Sequence, residues 1–244
     1  EKIITTATLE YPDEQKLEND NDEKADSIRS LKYACGLELN RMALLMPESL
    51  SKIYNDLEGV VARILDKLSY HEVVSFKSFL MIIVLKSSMP DKEAKFSQIV
   101  DPELVAWSDK DTVVGLQDLP WFMERLGIVK IAEYFEHRSI NEKSDLLSIS
   151  MDTEGKELKS ALSKRWSHLF PVRATRIFVH YSVEKLKNDE DYSMIQNLWK
   201  PRIVPILPYI LRLLFQLQAY HDSENWVSLP VTVQSFVKNS TTER

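Results

Sequence analysis

The chain has 244 residues, 44% of them hydrophobic, and a net charge of −6, which is ample apolar material for a core. It holds only five glycines, and no alternating, turn-punctuated segments recur, so neither an all-β nor an α/β reading is supported. The charge is uneven: residues 1 to 26 carry nine acidic residues against three lysines, whereas Lys156 to Lys187 carries eight basic residues against two glutamates. The two ends therefore attract different partners.

In chain order, Ile3 to Leu9 reads as a partial element, and Glu10 to Lys24 as a polar, acidic loop without periodicity. The stretch Ser27 to Leu85 reads as three amphipathic helices in succession. In the first, Ile28, Leu31, Cys35, Leu39, Met42 and Met46 recur at steps of three and four. Pro47 breaks that run. The second places Leu50, Ile53, Tyr54, Leu57, Val60, Val61, Ile64, Leu65 and Leu68 on one stripe, with Leu57 and Ile64 expected in the core. Ser69-Tyr70-His71-Glu72 has the spacing of a capping box and opens onto Val73 to Leu85. That third helix is apolar nearly all round, as an inner helix of a stack would be.

Asp91 to Trp107 is expected to be a helix kinked or split at Pro102, and Asp109 to Asp118 a short one. Pro120 suits the start of a helix over Trp121 to Leu126, and Gly127 the left-handed turn that ends it. Ile128 to His137 follows. Ser139 to Met151 is expected to be a long loop. Lys156 to Phe170 aligns Leu158, Leu162, Trp166 and Leu169; Pro171 breaks it, and Val172 to Lys187 returns as its partner. Asn188 or Asp189 caps a short helix ending at Trp199. Pro201, Pro205 and Pro208 introduce Ile203 to Tyr220 with bent first turns, and a last helix follows Pro230.

Helices of this length, paired through proline breaks at a spacing near forty, match the rhythm of HEAT-type repeats. The expected fold is all-α: an α-solenoid of HEAT-type antiparallel helix pairs. Its divisions are a partial element and acidic loop (1–26), repeats (27–138), a loop (139–152) and further repeats (153–244). The lone Cys35 lies on an apolar face and forms no internal disulfide, which suits a reducing, intracellular setting. Asn239-Ser240-Thr241 is then a chance sequon. Apolar runs such as Phe79 to Leu85 are too short to span a bilayer, no signal peptide is visible, and a first residue of Glu1 suggests a piece of a longer protein.

Catalysis finds no foothold. His71, His137, His168, His180 and His221 lie far apart, with no second ligand at metal spacing. There is no glycine-rich phosphate loop and no nucleophile elbow. Asp109 and Asp111 flank a helix start, where carboxylates stabilise the amide end. No catalytic residue, metal ligand or cofactor site is assigned. Trp107, Trp121, Trp166, Trp199 and Trp226 read as packing residues, since no basic and aromatic residues alternate around them. The feature that stands out is a stripe on the Val172 to Lys187 helix, where Arg173, Arg176, His180, Glu184 and Lys187 follow steps of three, four, four and three. Guanidinium groups bind phosphate through paired, charge-assisted hydrogen bonds. Arg173, Arg176, His180 and Lys187 are therefore the candidates for holding a phosphorylated peptide or a nucleic-acid backbone, against the alternative of an ordinary solvated face.

The runs SIRSLKYACGLELNRMALLMPESLSKIYNDLEGVVARIL (Ser27 to Leu65), VDPELVAWSDKDTVVGLQDLPWFMERLG (Val100 to Gly127) and WKPRIVPILPYILRLLFQLQAYHDSE (Trp199 to Glu224) resemble the central repeats of the exportin-five family. This is the karyopherin-β branch that carries pre-microRNA in animals and phosphoproteins in yeast. The resemblance rests on hydrophobic pattern, proline placement and scattered identities. It implies HEAT repeats in a superhelical ring, cargo on inner helices, contact with nucleoporins, shuttling between nucleus and cytoplasm, no membrane, and RanGTP bound chiefly by N-terminal repeats outside this stretch. No Ran-binding residue is carried over. The low basic content leans towards phosphoprotein rather than structured RNA as cargo. Two functions stay open: a nuclear transport receptor fragment, or a helical-repeat scaffold with a protein partner and no transport role. RanGTP-dependent cargo binding separates them.

Overall fold

The computed structural model describes Ile4, Thr6 and residues 23–139, 152–187 and 192–241. Among these the regular structure is entirely helical, as the periodicity requires, so the chain is all-α. The expected acidic loop falls outside the described residues up to position 22, as does the expected loop from position 140 to 151. The expected cap at Asn188 or Asp189 lies outside them too. The helices are α1 (Glu23–Leu45), α2 (Pro47–Ser51), α3 (Tyr54–Ile64), α4 (Tyr70–Lys86), α5 (Lys92–Leu104), α6 (Lys110–Gly115), α7 (Leu119–Arg125), α8 (Ile128–His137), α9 (Thr153–His168), α10 (Val172–Val179), α11 (Tyr192–His221) and α12 (Val231–Thr241). The chain divides into two compact units: residues 1–104 with 171–202, and residues 105–170 with 203–244.

The first unit is built around α4. Its run VSFKSFLMIIVL buries Val74, Phe76, Ser78, Phe79, Leu80, Met81, Ile82, Ile83, Val84 and Leu85, so no side of its C-terminal half meets water. It packs against α1, α2, α3, α5 and α10. Enclosing each of the apolar side chains among them is worth about 2 kcal/mol. The helix starts as its sequence predicts: the Ser69 amide and hydroxyl both donate to Glu72 Oε2, at 2.7 and 2.6 Å. Lys32 of α1 lies 3.7 Å from the other oxygen of the same carboxylate. A Cβ at Gly36 would come within 3.0 Å of Ser75 Cβ, so glycine lets α1 approach α4 closely. Below that crossing, the buried Asn40 Oδ1 accepts from Ser78 Oγ at 3.0 Å, and the same hydroxyl lies 2.9 Å from the Ser75 carbonyl, so the buried polar atoms are partnered inside the core.

The flanking helices differ from the sequence expectation in instructive ways. On α1, Cys35, Leu39 and Ala43 are buried, but Leu31 is exposed, as is Met46 just past its end. The face that α4 covers is centred on Gly36 and Asn40, and a hydropathy stripe gives weight only to apolar residues. The second expected helix is interrupted at Lys52 and Ile53 and ends in a 3-10 turn, Leu65–Lys67. Leu50, Tyr54 and Val61 are its buried residues, Leu57 and Ile64 are half-buried, and Ile53 is 47% exposed. Pro102 does not split α5, which continues to Leu104 before a 3-10 turn over Val105–Ser108.

In the second unit Asp109 caps α6 by accepting from the Asp111 amide, and Asp118 caps α7 by accepting from the Trp121 amide. Gly127 has φ +74° and joins α7 to α8; a Cβ there would also lie 2.2 Å from Leu162 Cδ2 on α9, so both conformation and space require glycine. Phe135 of α8 stacks on Phe236 of α12 at 5.8 Å. Phe122 of α7 meets Phe170 at the same distance. At the end of α8, Arg138 lies 3.8 Å over the Tyr134 ring and forms an ion pair with Asp152, whose other oxygen accepts from Tyr134 Oη and the Gly155 amide. These contacts, the Arg138 guanidinium foremost, pull the Asp152 carboxyl down to about 2.

The largest departure is α11. Pro201, Pro205 and Pro208 were expected to separate two helices, yet one helix of 30 residues runs through all three. Each proline leaves a carbonyl without its amide partner. Those carbonyls belong to Asn197, Pro201 and Val204, all of them exposed residues, where water satisfies them at little cost. The result corrects the expectation that no apolar stretch is long enough for a bilayer: by length and composition alone α11 qualifies, although length and composition are weak grounds. Trp121 is a second correction. Expected to pack, it is 40% exposed beneath the Arg125 guanidinium, 5.6 Å from its ring.

Two substitutions test this packing. Val61→Asp, at a residue 3% exposed, should lower stability by roughly 3 kcal/mol in thermal denaturation, because the carboxylate loses water without gaining a partner. Ile53→Asp on the exposed break should change it by less than about 0.5 kcal/mol. Glu72→Ala removes both Ser69 bonds and should cost about 1 kcal/mol, read as lost amide protection in the first turn of α4.

Candidate cargo-binding surface

Helix α10 starts at Pro171, whose carbonyl accepts from the Thr175 amide at 3.0 Å and from its hydroxyl at 2.8 Å. Ala174, Thr175 and Phe178 are buried, against α4 and α5. The opposite side carries Arg173, Arg176 and His180. At about 100° per residue these three fall within an arc of roughly 60°. The expected stripe is therefore present through His180.

From His180 to Glu184 the helix opens into a π turn, and the Lys185 amide donates to the His180 carbonyl at 3.0 Å. The wider turn absorbs an extra residue. It keeps Ser182 and Leu186 on the buried side, and Ser182 Oγ accepts from Trp199 Nε1 at 2.7 Å while donating to the Phe178 carbonyl. Residues beyond it are set back by about one position, roughly 100°. Lys187 is exposed but off the line of the other three.

The four candidates are unequal. Arg176 and Lys187 are exposed. His180 Nδ1 lies 2.8 Å from Glu184 Oε2, so a carboxylate within the same face offsets its charge. Arg173 is half-buried, and its Nε is enclosed without a hydrogen-bond partner. Its guanidinium acts on the start of α4: desolvation and then the Arg173 charge hold the His71 imidazole below its usual pKa. Burial, assisted by Glu103 and opposed by Arg173, pushes the Tyr70 hydroxyl up to about 12. The surface can offer one arginine freely, a second in part, and a lysine to one side.

Sequence reasoning did not find the contacts that brace this region. Arg202 of α11 binds Asp101 with Nε and Nη2, reaches Ser97 Oγ at 2.6 Å, and lies 5.1 Å over Phe96. Phe96 in turn meets Trp199 edge-on at 5.5 Å. Lys77 of α4 pairs with Glu103 at 2.6 Å, both mostly shielded. These partners stand 26 to 106 residues apart in the chain, and no local spacing signals them.

Among the described residues, no three His, Cys, Asp or Glu side chains gather to hold a metal. A cleft of about 450 Å³ lies beside Lys52, Ile53, Tyr54, Met89, Pro90 and Lys95, and Lys95 Nζ is 4.6 Å over the Tyr54 ring. A second, of about 550 Å³, lies beside Asp109, Lys110, Thr112 and Arg165. Both are open surface hollows without convergent buried polar groups, unlike small-molecule sites.

A family model described as the Exportin-5 family matches residues 1–244. Protein MSN5 of Saccharomyces cerevisiae is 69% identical over 244 residues, covering 100% of this chain and 20% of that protein. An uncharacterized protein of Schizosaccharomyces pombe is 24% identical over 256 residues, again with 100% of this chain and 20% of its own length covered. No solved structure matches. The chain thus spans about one fifth of the length of these relatives. With its whole length matched by the family model and this identity to the budding-yeast protein, the chain belongs to the Exportin-5 family.

Proposed function

We propose that these residues form part of the repeat array of a nuclear export receptor, an α-solenoid of HEAT-type helix pairs that binds cargo together with RanGTP and shuttles between nucleus and cytoplasm. The family match over residues 1–244 is the observation that carries this reading. The all-helical fold agrees with it, as does an inner helix, α4, covered on its sides by neighbouring helices. RanGTP and nucleoporin contacts belong to the full-length receptor. In this stretch, the surface of Arg173, Arg176, His180 and Lys187 contributes to cargo recognition. Its chemistry favours phosphate-bearing protein over structured RNA, since two freely exposed cations suit a single phosphate group better than a continuous nucleic-acid backbone.

In the full-length receptor, phosphorylated cargo should be retained with RanGTP and released without it; retention indifferent to RanGTP would leave a scaffold rather than a transport receptor. Arg176→Glu combined with Lys187→Glu should weaken phosphorylated cargo binding about tenfold at low salt, and less as salt rises. RanGTP affinity without cargo and the melting temperature should stay unchanged, because both side chains are exposed. Arg173 is left intact there because its guanidinium is partly enclosed. Unaltered cargo affinity in the folded double variant would reduce the surface to a solvated face.

A further inference from the structure

Helix α11 has two apolar sides. Within the second unit, Ile206 and Leu213 are buried, together with Gln216, which is 2% exposed and lies 3.4 Å through Nε2 from the Leu116 carbonyl. On the opposite side Val204, Leu207, Leu211, Leu214 and Phe215 follow steps of three, four, three and one, and all are between 46% and 65% exposed. At about 100° per residue they occupy an arc of roughly 100°, the width of a packing face. A helix with one solvated side would place polar residues there, and five large apolar side chains in a line exceed the scattered exposure of an ordinary surface.

We infer that this second face of α11 is an internal interface, covered by a helical segment of the full-length polypeptide that lies outside these 244 residues. The length of the relatives supports that occupant: each matches this chain over only 20% of its own length, so about four fifths of such a protein remains to supply a neighbour. The spacing supports it too, since steps of three and four are what a second helix meets in ridge-and-groove packing. A bilayer fits less well. The far side of the same helix is committed to Leu116 and the core of its unit, and exposed Arg212 lies between the two faces. The inference rests on the solenoid architecture but not on the transport role.

Photo-crosslinking in the full-length protein tests it. A photoreactive phenylalanine analogue replaces Leu211, which is exposed and whose replacement opens no cavity. The expected product has the mass of one chain, with the crosslinked peptide mapping outside residues 1–244 and yield independent of cargo, RanGTP or lipid vesicles. Crosslinks confined to residues 1–244, a product of twice the chain mass, capture of cargo, labelling of vesicle lipid, or no crosslink at all would each overturn the proposal. Any of those results would leave RanGTP-dependent cargo retention untouched, so failure of this inference is distinguishable from failure of the transport reading.

Discussion

The first unit depends on a helix that cannot face water. From Val74 to Leu85 nearly every side chain of α4 is apolar and buried, and the three polar exceptions are accommodated: Ser75 donates to the His71 carbonyl, Lys77 pairs with Glu103, and Ser78 pairs with Asn40. Such a helix is unstable alone and must be surrounded. Everything packed on it, from the glycine contact at Gly36 to the buried side of α10, follows from that requirement. The candidate surface on α10 is one outcome, because burying Ala174, Thr175 and Phe178 leaves Arg173, Arg176 and His180 pointing away.

Much of this was legible in the chain where local chemistry decides the outcome. The Ser69 and Glu72 cap, the helix start at Asp109, and the left-handed Gly127 each need only a few neighbouring residues. The inner character of α4 follows from composition alone. Where solvent decides, local rules fail. Local rules place a break at Pro201, Pro205 and Pro208, but the carbonyls they free belong to exposed residues, and the helix continues. Leu31 and Met46 continue an apolar period yet stay exposed, because α4 approaches α1 through Gly36 and Asn40.

The candidate surface shows the same division. Steps of three and four place Arg173, Arg176 and His180 together, and the structure keeps them so. Lys187 lies beyond a π turn that steps-of-three counting does not anticipate; that turn holds Ser182 against Trp199 and Leu186 in the core. Nor does the sequence reveal that His180 engages Glu184 or that Arg173 is half enclosed near His71. Charge can be counted in a sequence. Its availability to a phosphate depends on neighbours brought in from α4 and within the turn.

Amide hydrogen exchange across the first unit of the full-length protein measures the central claim most directly. If α4 is the enclosed helix on which the others depend, the amides of Val74 to Leu85 will exchange most slowly in the unit, and Val61→Asp will accelerate α3 and α4 together. Exchange in α4 as fast as in the exposed turn at Lys52 and Ile53, or acceleration confined to α3, would contradict it.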